Sequence, residues 1–122
     1  MDTEKKTIDE LVELIYGWGA DRGIVENSTP LAQSKKTGSE YHELVEAATR
    51  FDILNMPQRG RMSSQVYAEA EDLVDAIGDV FVTLCMVAAT AGLDIQTCIS
   101  HAYDQIKDRT GYLTPDGTFV KD

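Results

Sequence analysis

Residues 71–91 read Glu-Asp-Leu-Val-Asp-Ala-Ile-Gly-Asp-Val-Phe-Val-Thr-Leu-Cys-Met-Val-Ala-Ala-Thr-Ala. Leu73, Ile77, Val80, Leu84, Val87 and Ala91 recur in steps of four, three, four, three and four, the seam of a helical bundle. The same stretch carries Asp72, Asp75 and Asp79 at helical spacing beside that seam. A helix is therefore expected from near Ser64 to Ala91, ended by Gly92.

Upstream, Ile8, Leu11, Val12 and Ile15 mark a first helix, with Thr7 and Glu10 in capping-box register and Gly17 and Gly23 punctuating its end. Thr29-Pro30 opens a second, carrying Leu31, Tyr41, Leu44, Val45, Ala48 and Phe51. Gly38 inside it costs about 1 kcal/mol relative to Ala. Residues 55–64, with Pro57 and Gly60, read as a loop. Downstream, Asp94 caps a further helix with Ile95, Cys98, Ile99, Ala102 and Ile106 on one side. A short hairpin follows around Thr114–Gly117. The expectation is an all-α four-helix bundle with a short C-terminal hairpin or extended tail, in one domain spanning 1–122.

Of 122 residues, Lys plus Arg number 11 and Asp plus Glu 21, a net charge of −10. That balance disfavours a nucleic-acid polymer as partner, because Lys and Arg supply phosphate-backbone affinity. The chain opens Met-Asp-Thr-Glu-Lys-Lys, unlike a signal peptide. Its longest uncharged run, 80–93, falls short of the roughly 20 residues that span a bilayer. A soluble, cytoplasmic protein with no membrane partner is expected. Cys85 and Cys98 lack zinc-motif spacing, and neither His42 nor His101 follows a Glu by three residues as di-iron bundles require. No serine nucleophile elbow and no Walker loop is present.

The acids carry the chemistry. Glu40, Glu43 and Glu46 share a face of the second helix, as Asp72, Asp75 and Asp79 do on the third. Like charges so spaced repel. They form either a solvated face or a site for a divalent cation, for which hard oxygen ligands suit Mg²⁺. Asp79, at the edge of the uncharged run, is expected to be partly buried, where a lone carboxylate is costly. Spacing alone goes no further than a cation site between two helices.

A series of motifs in fixed order adds to this. They are Trp18-Gly-Ala-Asp-Arg-Gly-Ile, Ser28-Thr-Pro-Leu-Ala-Gln33, Lys36-Thr-Gly-Ser-Glu40-Tyr-His-Glu43-Leu, Asp75-Ala-Ile-Gly-Asp79-Val, Gly92-Leu-Asp and Ala102-Tyr-Asp-Gln-Ile-Lys107-Asp-Arg109-Thr-Gly. The set resembles the phage-type MazG nucleoside triphosphate pyrophosphohydrolases over nearly the whole chain. The resemblance implies an all-α fold and hydrolysis of a (deoxy)nucleoside triphosphate to monophosphate and pyrophosphate. It implies Mg²⁺ or Mn²⁺, and a homodimer or homotetramer with sites near the subunit interface. A purine such as (d)GTP would suit it, as in the MazZ branch of the family; a phage-encoded copy would work in the host cytoplasm.

Glu40, Glu43, Asp75 and Asp79 take the catalytic and metal-ligand places. Trp18 would stack the base and Gln33 bond its edge, while Lys36, Lys107 and Arg109 would contact phosphates. Ser39 stands where the family has a first Glu. Asp75 lies one residue before the usual acid, at the place before Ala76, and Asp104 replaces an Asn. The alternative is a non-catalytic helical oligomer that binds a nucleotide or protein partner.

Overall fold

The computed structural model describes residues 5–55 and 64–122, with side chains except those of residues 54, 55 and 64–69. It is helical apart from one small hairpin. In chain order come α1 (Ile8–Asp21), α2 (Ile24–Asn27), α3 (Pro30–Asn55), α4 (Ser64–Thr90) and α5 (Ile95–Ile106), then β1 (Gly111–Leu113) and β2 (Phe119–Lys121). The loop expected between the two long helices lies outside the described residues, except for its ends.

Local chemistry sets the ends of these helices. Thr7 Oγ1 accepts the Glu10 amide at 3.1 Å while Glu10 Oε1 accepts the Thr7 amide at 2.8 Å, completing the capping box. Gly17 lies within α1, which runs on to Asp21; Gly23, at φ 77°, makes the turn into the unexpected α2. Thr29 Oγ1 accepts the Ala32 amide at 3.1 Å ahead of Pro30. At the end of α4, Gly92 at φ 73° lets the Leu93 amide reach Ala88 O at 2.8 Å and its own amide reach Ala89 O at 3.1 Å, a Schellman closure.

The α3 and α4 helices pack along their length as an antiparallel pair, and α1 and α2 lie against α4. Ala47 and Ala76, both buried, let the pair approach closely. The core holds Val12, Cys85, Met86, Ala88, Ala89 and Ile95, backed by Ile15, Tyr16, Ile24, Val25 and Phe81. Cys85 is fully enclosed, and burial pushes its thiol pKa up, so it packs as a small apolar residue.

The expected α4 seam is not the buried face. Ile77 is 55% exposed, Leu84 42% exposed, and Ala91 is exposed, while Leu73, Val80 and Val87 are half-buried. The buried stripe is Ala76, Thr83, Cys85, Met86, Ala88 and Ala89. From Val80 onward α4 is apolar on every side, so periodicity could not choose a face; the smaller side chains permit the closest helix contacts. Leu31, Tyr41 and Val45 on α3, and Ile8 and Leu11 on α1, are likewise exposed rather than core.

The α5 helix touches the body mainly at its start. Tyr16 Oη accepts the Ile95 amide and donates to Leu93 O, both at 3.0 Å, so a side chain from α1 caps α5. Asp94 holds the N-cap place but makes no capping bond; its carboxylate accepts from Thr97 Oγ1. Cys98, Ile99, Ala102 and Ile106, expected on a packed face, are exposed. The hairpin forms as expected, antiparallel with Tyr112 opposite Val120 and Leu113 opposite Phe119, around a turn in which Gly117 takes φ 89°. By length and composition alone, residues Ala70–Thr90 are long and apolar enough to cross a membrane. Here that segment is the central helix of the body and projects Asp72, Asp75 and Asp79.

Candidate functional site

The facing sides of α3 and α4 form the site. Helical steps of three and four place Gln33, Lys36, Thr37, Glu40, Glu43, Ala47 and Arg50 along one side of α3. Asp72, Asp75, Ala76, Asp79, Thr83 and Met86 line the opposing side of α4. Between them lie two cavities that share Asp79.

The first cavity, of about 320 Å³, is lined by Glu43, Glu46, Ala47, Arg50, Asp72, Asp75, Ala76 and Asp79. Five carboxylates and one guanidinium in so small a space make a strongly negative surface, a setting suited to a multivalent cation. The second, of about 270 Å³, is bounded by Trp18 and Ile24 from the N-terminal helices, Gln33, Lys36 and Glu40 from α3, and Asp79, Val82, Thr83 and Met86 from α4. It has an aromatic wall, an apolar floor and a few polar groups, the general character of a small-molecule site.

Glu40 joins the charged side to the apolar one. Its side chain is only 12% exposed and receives a salt bridge from Lys36 Nζ at 3.2 Å. Its Oε2 is buried without a hydrogen-bond partner. A buried carboxylate oxygen in that condition is expensive and calls for a proton or a cation. Glu43 can donate to Glu40 when it carries a proton; that interaction, then the Lys36 ammonium, holds Glu40 below the usual carboxylate range. The same interaction with Glu40 raises the pKa of Glu43, and the charges of Glu40 and Asp79 add to it. The pair thus keeps one proton between them longer than two separate glutamates would.

Asp79 is exposed, contrary to the partial burial expected of it. It does lie on the packed side of α4, three residues after buried Ala76 and four before buried Thr83, but both cavities open beside it and keep it wet. Asp75 also lines the acidic cavity. Ala76, where the family pattern carries its acid, is 5% exposed and pressed against α3; an acid there would lie within the helix contact.

Of the residues expected to bind substrate, Trp18, Gln33 and Lys36 meet around the second cavity. Trp18 is 42% exposed, with the Arg22 guanidinium 5.5 Å from its ring centroid. Gln33 Nε2 donates to Ser28 Oγ at 2.8 Å, which fixes the amide and leaves its carbonyl oxygen as an acceptor. Lys107 and Arg109 are not brought in: neither lines either cavity, and Lys107 Nζ sits 3.6 Å from Asp104 Oδ1. They follow α5 away from the body, so their place near a helix end gave no information about distance from the acids. Among the described residues, no three His, Cys, Asp or Glu side chains stand close enough together to hold a metal ion.

Sequence reading passed over Thr83 and Met86. Thr83 Oγ1 donates to Val80 O at 2.7 Å and accepts from Thr37 Oγ1 at 2.8 Å, joining the two long helices beneath the second cavity. Its signal was available: it is the one hydroxyl between Val80 and Ala89, and a buried hydroxyl needs a partner. Met86 gave none, because nothing in a run of apolar residues marks which one borders a cavity. No family model, curated protein or solved structure matches the chain.

Proposed function

We propose that this protein is a metal-dependent nucleotide pyrophosphohydrolase that converts a (d)NTP, with (d)GTP the first candidate, to the monophosphate and pyrophosphate. The observation that carries the reading is the pairing of an acidic cavity with an aromatic-walled one across a single shared carboxylate, Asp79. Neither half alone is distinctive. Together they offer a place for a base and, one helical turn away, a place for charge-neutralised phosphates.

In this reading Trp18 stacks the base and Gln33 accepts a hydrogen bond from its edge. Lys36 presents a point charge to the phosphate chain. Glu43, Asp75 and Asp79, with Glu40 at the boundary, would hold Mg²⁺ or Mn²⁺. Their oxygen chemistry and the unpartnered Glu40 Oε2 suit such an ion, which would have to draw these carboxylates closer together than they stand without it. Bound there, it would offset phosphate charge and make a nearby water more acidic. Glu40 orients that water and takes up its proton. The water oxygen bonds to the α-phosphorus, the bond from that phosphorus to the bridging oxygen breaks, and pyrophosphate leaves. The working unit is a homodimer or homotetramer in which a second copy completes the MazG-like bundle; Lys107 and Arg109 reach the phosphates only from such a copy.

The test is a panel of the eight common NTPs and dNTPs with Mg²⁺ or Mn²⁺, scored for monophosphate and pyrophosphate. Activity that depends on the metal, and that is lost in folded Glu43→Ala and Asp79→Ala proteins, supports the reading. Equal residual activity in both variants removes the site assignment. A second reading, a non-catalytic helical oligomer that binds a nucleotide or protein partner, draws support from the many exposed apolar side chains. Nucleotide-dependent thermal stabilisation with no turnover would select it.

A further inference from the structure

We propose that the C-terminal arm, α5 from Thr97 onward together with the hairpin, docks on the body of a second copy of this chain. Every residue from 97 to 113 is exposed, on all sides of the helix and along the first strand. A 12-residue helix is marginal alone in water, and so is a two-stranded hairpin. Yet the arm is not built for water. Ile99, Tyr103, Ile106, Tyr112, Leu113 and Phe119 stand between 49% and 68% exposed. Phe119 and Leu113 share one face of the hairpin, and the Phe119 ring lies over Gly111: a Cβ there would come within 2.6 Å of its Cζ. Tyr112 and Val120 take the other face. Among the described residues, the hairpin strands pack chiefly on each other.

The same chain carries the complement. Ile8, Leu11 and Leu14 on α1, and Val74, Ile77 and Leu84 on α4, are exposed apolar rows on the body. With arm and receiving surface on one chain, a two-fold pair would bury both at once. The areas agree with that. A large aromatic side chain covers about 150–250 Å² when buried, so six large side chains half to two-thirds exposed offer on the order of 600 Å² per arm. Two arms and their receiving surfaces come to about 2,400 Å², within the range of obligate dimers.

The arm docking sharpens the oligomer reading above and does not depend on catalysis. The test uses the full chain in sedimentation equilibrium across a dilution series, with amide exchange read at residues 111–121. The native protein should be a dimer or larger, with the hairpin amides protected in the oligomer and losing protection on dilution. Leu113→Asp/Phe119→Asp, and separately Leu11→Asp on the receiving face, should raise the dissociation constant at least about a hundredfold while the helical spectrum of the body persists. A native monomer at all concentrations overturns the proposal and the oligomer reading together. An oligomer whose mass and dissociation constant are unchanged in both variants overturns the arm docking alone, as does hairpin protection that survives in the dissociated chain.

Discussion

Gly19 of α1 is buried against Met86 of α4. A methyl group on its Cα would meet Met86 Sδ well inside van der Waals contact and Cε at 2.7 Å. Two effects oppose each other in Gly19→Ala. Alanine favours the helix by about 1 kcal/mol. Forcing a methyl into a filled core costs about 1–3 kcal/mol. Met86 is 2% exposed, but it borders the cavity beside Trp18, and a thioether has the torsional freedom to swing into it. Gly19→Ala should therefore fall at the mild end, destabilised by about 0–2 kcal/mol, with part of the cavity filled by the displaced side chain. Gly19→Val, too bulky for that relief, should cost at least about 2 kcal/mol. Denaturant unfolding followed by the emission of Trp18, the only tryptophan, measures both variants. On the nucleotide reading, the same emission should report several-fold weaker ligand binding in Gly19→Ala. If Gly19→Ala instead gains the full 1 kcal/mol or so of helix propensity, with binding and emission unaltered, the reasoning about Met86 is refuted.

Three further outcomes are expected. Carboxyl NMR titration should find Glu43 above and Glu40 below the ordinary range, and Glu40→Gln should return Glu43 towards it. The raised Glu43 pKa favours folding at low pH, a benefit lost as pH rises through it, whereas Glu40's contribution is present above its ordinary value and lost as pH falls through its lowered one. Tyr16→Phe removes the hydroxyl shared by Leu93 and Ile95 and should cost about 1 kcal/mol, with faster amide exchange at the start of α5. Asp79→Asn should abolish Mn²⁺ affinity measured by calorimetry while leaving thermal stability without added cation unchanged or slightly higher, since it removes a repulsive charge; retained affinity would exclude Asp79 as a ligand.

Helix existence was legible because capping and breaking residues act locally: Thr7 with Glu10, Thr29 with Pro30, and Gly92 each did what their chemistry predicts. Facing was less so. On α3, Leu31, Tyr41 and Val45 were expected on the packed face and are exposed, while the side turned to α4 carries Glu40, Glu43 and buried Ala47. Along the apolar end of α4 every face qualifies, so the choice fell to the fit of Ala76, Ala88 and Ala89 against neighbouring helices, a property of two surfaces rather than of one. The arm shows another limit. The spacing of Ile95, Ile99 and Ile106 marks an apolar face on α5, yet only Ile95 is buried, because a periodic face does not name its partner. The same gap separates Lys107 and Arg109 from the acids: sequence order carries no vector.

Asp79 is the party wall of two rooms. Trp18 on α1 and Gln33 on α3 touch only the aromatic room and can change without disturbing the acids next door. On the nucleotide reading, a lineage could thus alter which ring it admits by drift at those positions alone. Replacement of the wall itself would alter both rooms in one mutational step.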